Sequence, residues 1–330
     1  MEYRTLGRTG IRVAEIGFGC GNVGGAIIRG THEQQVAAVQ KALDLGIDYF
    51  DTAAAYGNGL SETHLGEVLH ELKPGVHVAT KFRVSTEDDL KDIPGAIRRS
   101  LEESLTRLQR DTVDVFQLHT NLSDTDGQHD LFVKHVLEKG GVADTLDALQ
   151  AEKMIGFRGF TGMGDTDAIH RVINSGRFDT VQTYYNLLNP TAGVKVPDGY
   201  VCQDYQQVID NATAHYMGVI VIRSLAGGAV AGPVRAELAS DKPGGLMATG
   251  NDYESDLRRA ESLAFLANGD RTVAQASVRF ALDNDKVSVV LVGFSGQDQI
   301  EAAVAAQANA PLSANDMTRM TELWATDFEG

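Results

Sequence analysis

Short apolar runs alternate regularly with amphipathic stretches along this 330-residue chain, and that pattern constrains its fold more than any other feature. Strand-like runs fall at 16–19, 48–50, 77–80, 113–118, 155–160, 180–184, 219–222 and 287–292. Between them, 33–45, 62–72, 93–108, 142–150, 167–174 and 203–214 repeat apolar residues every three to four positions, the period of a helix with one buried face. Such alternation specifies βα units, because a parallel strand can rejoin its sheet only through a long crossover. Eight units predict an α/β chain closed into a (β/α)8 (TIM) barrel.

The flanking segments fit that frame. Gly7-Arg8-Thr9-Gly10 reads as the turn of an N-terminal β-hairpin, a cap outside the barrel strands. Helices near 256–267 and 272–282 precede the last strand, and one at 315–326 follows it, so the C-terminal part carries extra helices. No Pro- or Gly/Ser-rich linker interrupts the chain, and residues 1–330 read as one barrel domain. The irregular stretches 21–30, 120–128, 190–199 and 226–253 follow strands, directly or within a few residues. In a parallel barrel these loops gather at the C-terminal face, where active sites are built.

Composition narrows the function classes. Apolar residues make up 43% of the chain, enough for a large core. Lys and Arg number 29 against 45 Asp and Glu, a net charge of −16 that opposes binding to nucleic acid or to anionic membranes. An anionic cofactor must therefore be held by local backbone N–H groups and a few cations. The two cysteines, Cys20 and Cys202, form no metal or disulfide pattern. Neither a signal-like N-terminus nor an apolar run of membrane-spanning length, about 18 to 20 residues, is present, so the chain reads as cytoplasmic.

Three successive strands end in ionisable side chains: Asp51 after the second, Lys81 after the third and His119 after the fourth. A single polar strand end is ordinary rim decoration, but three in a row converge on one barrel mouth. Tyr56 stands in the loop after Asp51. A free phenol ionises at about pH 10, and a neighbouring ammonium favours the phenolate, so a Lys–Tyr pair suits proton exchange with a carbonyl oxygen. An aspartate would keep the lysine charged, and a histidine would orient the carbonyl by a hydrogen bond. The hydride must come from a cofactor.

At these residues the chain resembles the aldo-keto reductase superfamily. The resemblance runs from Arg4 to about Ala306 and is most specific in Gly46-Ile47-Asp48-Tyr49-Phe50-Asp51-Thr52-Ala53-Ala54-Ala55-Tyr56-Gly57. It implies a catalytic tetrad of Asp51, Tyr56 as proton donor, Lys81 and His119, and no metal. It also implies NADP(H), with NAD(H) as the alternative, bound across the barrel mouth by Gly21, Asp51, Thr161, Gln182, Arg223, Leu225, Gly227, Gly293, Ser295 and Gln299. Among these, Gln182 in Val181-Gln182-Thr183-Tyr184-Tyr185-Asn186 would meet the carboxamide, and Leu225-Ala226-Gly227-Gly228 would form the pyrophosphate loop. The chain departs from the family pattern at three places. Thr161-Gly162 replaces Ser-Asn after the fifth strand, Ile222 and Arg223 stand where an aromatic usually stacks on the nicotinamide, and in the adenosine segment Gln299 stands where an arginine often binds the 2′-phosphate and Ala303 where an asparagine is usual.

The implied activity is reduction of an aldehyde, ketone or sugar carbonyl, or oxidation of the corresponding alcohol. Three other readings stand beside it. Gly19-Cys20-Gly21-Asn22-Val23-Gly24 matches the dinucleotide-binding G-x-G-x-x-G of a Rossmann domain, although further glycines separate it from the next helix. His119, Asp124, Asp126, His129, Asp130 and His135 are metal-ligating residue types, but not at zinc or calcium spacing. A barrel that binds cofactor as a redox sensor or scaffold needs no turnover at all. Asn121, Tyr185 and the 226–253 segment would line the substrate pocket, and their sequence names no substrate; the oligomeric state is equally illegible.

Overall fold

The computed structural model describes residues 1–124, 130–231, 252–269 and 271–329. Its centre is a closed, all-parallel barrel of β1 (Ile16–Gly19), β2 (Tyr49–Asp51), β3 (His77–Phe82), β4 (Val113–Leu118), β5 (Ile155–Thr161), β6 (Thr180–Tyr184), β7 (Gly218–Ile222) and β8 (Val289–Gly293). Each strand pairs with the next in the chain, and β8 closes on β1 with Val290 opposite Ile16. The crossover helices are α1 (His32–Asp44), α2 (Leu60–Leu72), α3 (Ile93–Leu108), α4 (Val142–Ala151), α5 (Thr166–Asn174), α6 (Val208–Ala214), α7 (Val273–Leu282) and α8 (Gln297–Ala305). The expected strands all form, three of them with the expected bounds and the others with ends displaced by at most two residues, where fraying and capping rather than periodicity decide the boundary.

The expected irregular loops hold more order than their sequences suggest. A helical turn, Ala26–Arg29, interrupts the glycine-rich 21–30 stretch, and Leu122–Ser123 pairs in parallel with Leu131–Phe132. The helix expected at 256–267 is instead Tyr253–Glu261 followed by a 3-10 turn at Ala264–Leu266. Of the 226–253 segment, residues 232–251 lie outside the described residues. No helix among the described residues is long and apolar enough to cross a membrane.

The hairpin pairs Tyr3–Thr5 with Arg12–Ala14 and plugs the N-terminal end of the barrel. Leu6 and Val13, both fully buried, pack on Tyr49, Ala79, Val115, Ile220, Val289 and Leu291, the inward-facing apolar residues of the strands. Gly7 sits at φ +50 with its α-carbon so close to the Gly218 backbone that any side chain would collide with it. Higher in the barrel, a β-carbon at Gly17 would lie 2.7 Å from Leu291 Cδ2 and 3.3 Å from Tyr49 Cδ1, so glycine is what lets those large residues meet inside.

A repeated device fixes the strand register at this end. Asp48, just before β2, accepts from the Ala14 N–H (2.8 Å), Asp114 in β4 from that of Val78 (2.8 Å), and Asp179, just before β6, from that of Arg158 (3.0 Å). Each carboxylate ties an even strand to the segment before it, and a slip in register would leave these acceptors without their partners, at most cost for the buried Asp179.

The Rossmann reading does not survive this topology, since the sheet is closed and Gly24 opens no long helix. Gly24 packs its backbone against Phe294 too tightly for a β-carbon, which is a packing reason for the glycine.

Candidate active site

Asp51, Lys81 and His119 meet at the C-terminal mouth because β2, β3 and β4 are neighbours in register: Asp51 lies opposite Ala79, and Lys81 opposite Gln117. His119 follows β4, its N–H bonded to the Phe82 carbonyl (2.8 Å). Tyr56 arrives from a tight 3-10 turn at Tyr56–Gly59, where Gly57, Asn58 and Gly59 all adopt positive φ. The Asn22 side chain accepts from the Gly57 N–H (2.9 Å) and so pins this turn to the loop after β1.

Lys81 is 1% exposed and lies in a salt bridge with Asp51 Oδ1. Its Nζ also donates to the Thr52 carbonyl (2.7 Å) and sits 4.7 Å from the centroid of the Tyr56 ring. Burial alone would pull this amine down, but the charge of Asp51, the neighbouring Tyr56 and the hydrogen bonds to both outweigh it, and Lys81 is held above the usual lysine range. It is a buried ammonium.

His119 behaves in the opposite way. Burial first, then the positive fields of Lys81 and Arg83, push it down to about 3, so it is a neutral imidazole near pH 7. Its ring stands perpendicular to that of Tyr56 with centroids 6.0 Å apart. Nδ1 is buried without a hydrogen-bond partner among the described residues. An orphaned lone pair is more readily tolerated than an orphaned N–H, which places the proton on Nε2.

The remaining valence of Asp51 is filled by two carboxamides: Gln117 Nε2 at 3.0 Å and Gln182 Nε2 at 2.6 Å both donate to Oδ2. Gln182, expected at the cofactor, is therefore also tied to the charged cluster, with the Thr161 hydroxyl directed at its carbonyl (3.4 Å). Gln117 was not among the expected site residues. Strand alternation is the signal that would have found it, since it lies on the inward face two residues before His119.

All the other expected cofactor residues lie on this same rim. Gly21 follows β1, and a β-carbon there would rest 3.8 Å from the Tyr56 ring, an ordinary contact. Arg223, with φ +57, follows β7, and its carbonyl accepts from Asn186 Nδ2 (2.8 Å). Leu225 and Gly227 belong to the next turn, where Gly227 lies so close to the Arg223 guanidinium that a side chain would displace it. A glycine-rich backbone turn under a guanidinium suits a phosphate, and it supplies the local positive field that the net charge of −16 requires. Gly293 ends β8, and Ser295 donates to Gln299 Oε1 from both its N–H (2.9 Å) and its hydroxyl (3.0 Å).

Among the described residues the metal-ligating types form no cluster of three or more. Asp124 pairs with Arg171 and His135 with Glu138, while Asp126 and His129 lie outside the described residues.

Comparison with known proteins accords with this geometry. The model of the aldo/keto reductase family matches residues 15–325. L-galactose dehydrogenase of Arabidopsis thaliana is 28% identical over 98% of this chain and 94% of its own length. Among solved structures, an aldo-keto reductase of Bacillus halodurans in its holo form superposes with a TM-score of 0.72 at 23% identity, covering 98% of this chain and 96% of that one. An aldo-keto reductase of Klebsiella pneumoniae in complex with NADPH gives 0.68 at 20% identity, with the same coverage.

Proposed function

Because the chain belongs to the aldo/keto reductase family, whose chemistry is NAD(P)(H)-dependent carbonyl reduction or the reverse oxidation, we propose that Asp51, Tyr56, Lys81 and His119 are its proton-transfer machinery. The carrying observation is a buried ammonium, Lys81, held against the Tyr56 ring beside a neutral imidazole. In reduction the Tyr56 hydroxyl gives its proton to the carbonyl oxygen, and Lys81 stabilises the phenolate left behind. His119 donates from Nε2 to the same oxygen and orients it; being neutral, it adds no charge that would repel Lys81. Asp51 holds Lys81 charged. A reduced nicotinamide held at this mouth would supply the hydride.

Within that reaction, Gly21, Thr161 and Gln182 would hold the nicotinamide end, and Arg223, Leu225 and Gly227 the pyrophosphate. Gly293, Ser295 and Gln299 would hold the adenosine end. The NADPH complex of the Klebsiella pneumoniae protein and the hydroxyl of Ser295 favour NADP(H) over NAD(H). The name of the Arabidopsis thaliana relative favours a sugar or other small polar carbonyl or alcohol as substrate. We take residues 1–330 to act as one barrel domain in the cytoplasm, with small molecules and not nucleic acid as ligands.

An absorbance assay at the nicotinamide band, with NADPH and NADH against a panel of aldoses and aldehydes, tests the reading. Turnover is expected, with a lower dissociation constant for NADP(H). Gln299→Arg should tighten NADP(H) by about tenfold through a charge-assisted contact with the 2′-phosphate. Tight NADPH binding with no turnover on any member of the panel would favour a sensor or scaffold instead.

A further inference from the structure

The proton relay as described gives no duty to Gln117, a fully buried polar side chain that touches it. Gln117 lies in register with Lys81 on one side and Gly159 on the other, just above the apolar layer of Ala79 and Val115. Its Nε2 reaches Asp51 Oδ2, but its Oε1 is buried without a partner among the described residues. A methionine or leucine would fill the same space with no orphaned carbonyl, so in packing terms the glutamine is a poor choice. The neighbouring strand also makes room for it: a β-carbon at Gly159 would lie 2.6 Å from Gln117 Cγ. The orientation of the amide is set by its partner, because an ionised carboxylate only accepts, and Gln117 must turn its N–H towards Asp51 and its carbonyl away.

We infer that Gln117 is a positioning residue of the proton relay: with Gln182 it fixes Asp51 Oδ2, so that Oδ1 stays on Lys81 and Lys81 stays against Tyr56. The inference rests on the tetrad reading above. The two amides differ in duty. Gln182 is also the expected partner of the nicotinamide carboxamide, whereas Gln117, fully buried, holds Asp51 whether or not the cofactor is bound.

Two variants of the full chain test this. Gln117→Met removes the donor at nearly constant volume and should lower kcat about tenfold, as expected for one hydrogen bond to a charged group, while the NADPH dissociation constant, measured by fluorescence, is unchanged. Gln117→Glu gives a readout that a purely structural role would not move. Protonated, the introduced carboxyl still donates to Asp51; ionised, it sets a second negative charge beside it. Its kcat relative to the wild type should therefore fall from near unity at about pH 5 to a loss of tenfold or more at about pH 8. A wild-type kcat in Gln117→Met, or a pH-independent ratio in Gln117→Glu, overturns the inference. If Gln117→Met fails to fold, shown by loss of NADPH binding, the pH dependence of Gln117→Glu decides alone. Tyr56→Phe, assayed alongside, separates the two claims: an inactive Tyr56→Phe with unaffected Gln117 variants removes only the role of Gln117, whereas an active Tyr56→Phe removes the tetrad reading itself.

Discussion

The two rims of the barrel carry the same kinds of side chain and treat them differently. At the N-terminal rim charges meet charges: Arg4 pairs with Glu15 (2.8 Å) and also donates to the carbonyls of Leu282, Asn284 and Val287, while Arg8 and Arg158 share Asp179 (3.0 Å each). At the C-terminal rim Asp51 and Lys81 are deeply buried, yet Gln117 Oε1 and His119 Nδ1 have no partner among the described residues. Charge alone therefore does not distinguish the proposed site from the opposite rim. Unspent hydrogen-bonding capacity beside a buried charge separates the rims better, although Gln35 Oε1, Asn309 Nδ2 and the hydroxyls of Tyr49, Thr180, Thr183, Tyr184 and Tyr205 are also unpaired among the described residues, which nothing in the structure explains.

The contrast breaks first, if it breaks, at Tyr56. Tyr56→Phe keeps the ring and removes the transferable proton, so kcat should fall by about 10² to 10⁴-fold with the cofactor dissociation constant unchanged. A variant that keeps most of its kcat would leave the C-terminal rim no more functional than the other. Lys81→Met should abolish turnover and also cost stability, about 3 to 5 kcal/mol in urea unfolding, because it strands the carboxylate of Asp51 in the interior. Adding Asp51→Leu should recover much of that stability and none of the activity. Were the double variant no more stable than the single one, the buried pair would not be the source of the loss.

The opposite rim should show the reverse pattern. Asp179→Ala removes the acceptor of Arg8, of the Arg158 side chain and of the Arg158 backbone N–H, and a loss of about 2 to 3 kcal/mol is expected. The kcat of the folded fraction should stay at the wild-type value. A large fall in kcat without a fall in stability would mean that the two ends are coupled.

The pH-dependent effects come from two histidines, and their signs differ. His119 stays neutral in the folded protein down to about pH 3, whereas in the unfolded chain it protonates at about 6.5. Between those values the unfolded state holds the extra proton, so this contribution is complete above about pH 6.5 and is lost as the pH falls. Relative to His119→Gln, the wild type should lose up to about 1.4 kcal/mol per pH unit below 6.5. His77, at the N-terminal rim, is raised chiefly by its hydrogen bond to Asp114 (2.9 Å). Its contribution is present below about 6.5 and is lost as the pH rises through the folded value. The stability advantage of the wild type over His77→Gln should therefore shrink with rising pH, within about 1 kcal/mol for a half-buried pair. Urea unfolding of both variants at several pH values checks the two signs together.

Periodicity, glycine placement and strand endings were enough to specify the barrel, its hairpin and the convergence of Asp51, Lys81 and His119, because each depends on local spacing that a linear chain records directly. Element ends and the small elements inside loops, such as Ala26–Arg29, were not legible, since capping and packing partners settle them. Tertiary structure alone decided how the site is wired. Nothing in the spacing of Gln117, Gln182 and Asp51, 131 residues apart at the extremes, says that both amides converge on one carboxylate oxygen. Nor does the chain say that His119 is neutral while Lys81 beside it is charged. Both follow from barrel closure, which brings β2, β4 and β6 around one interior and removes water, so that a side chain's charge is set by its few neighbours and not by its own chemistry.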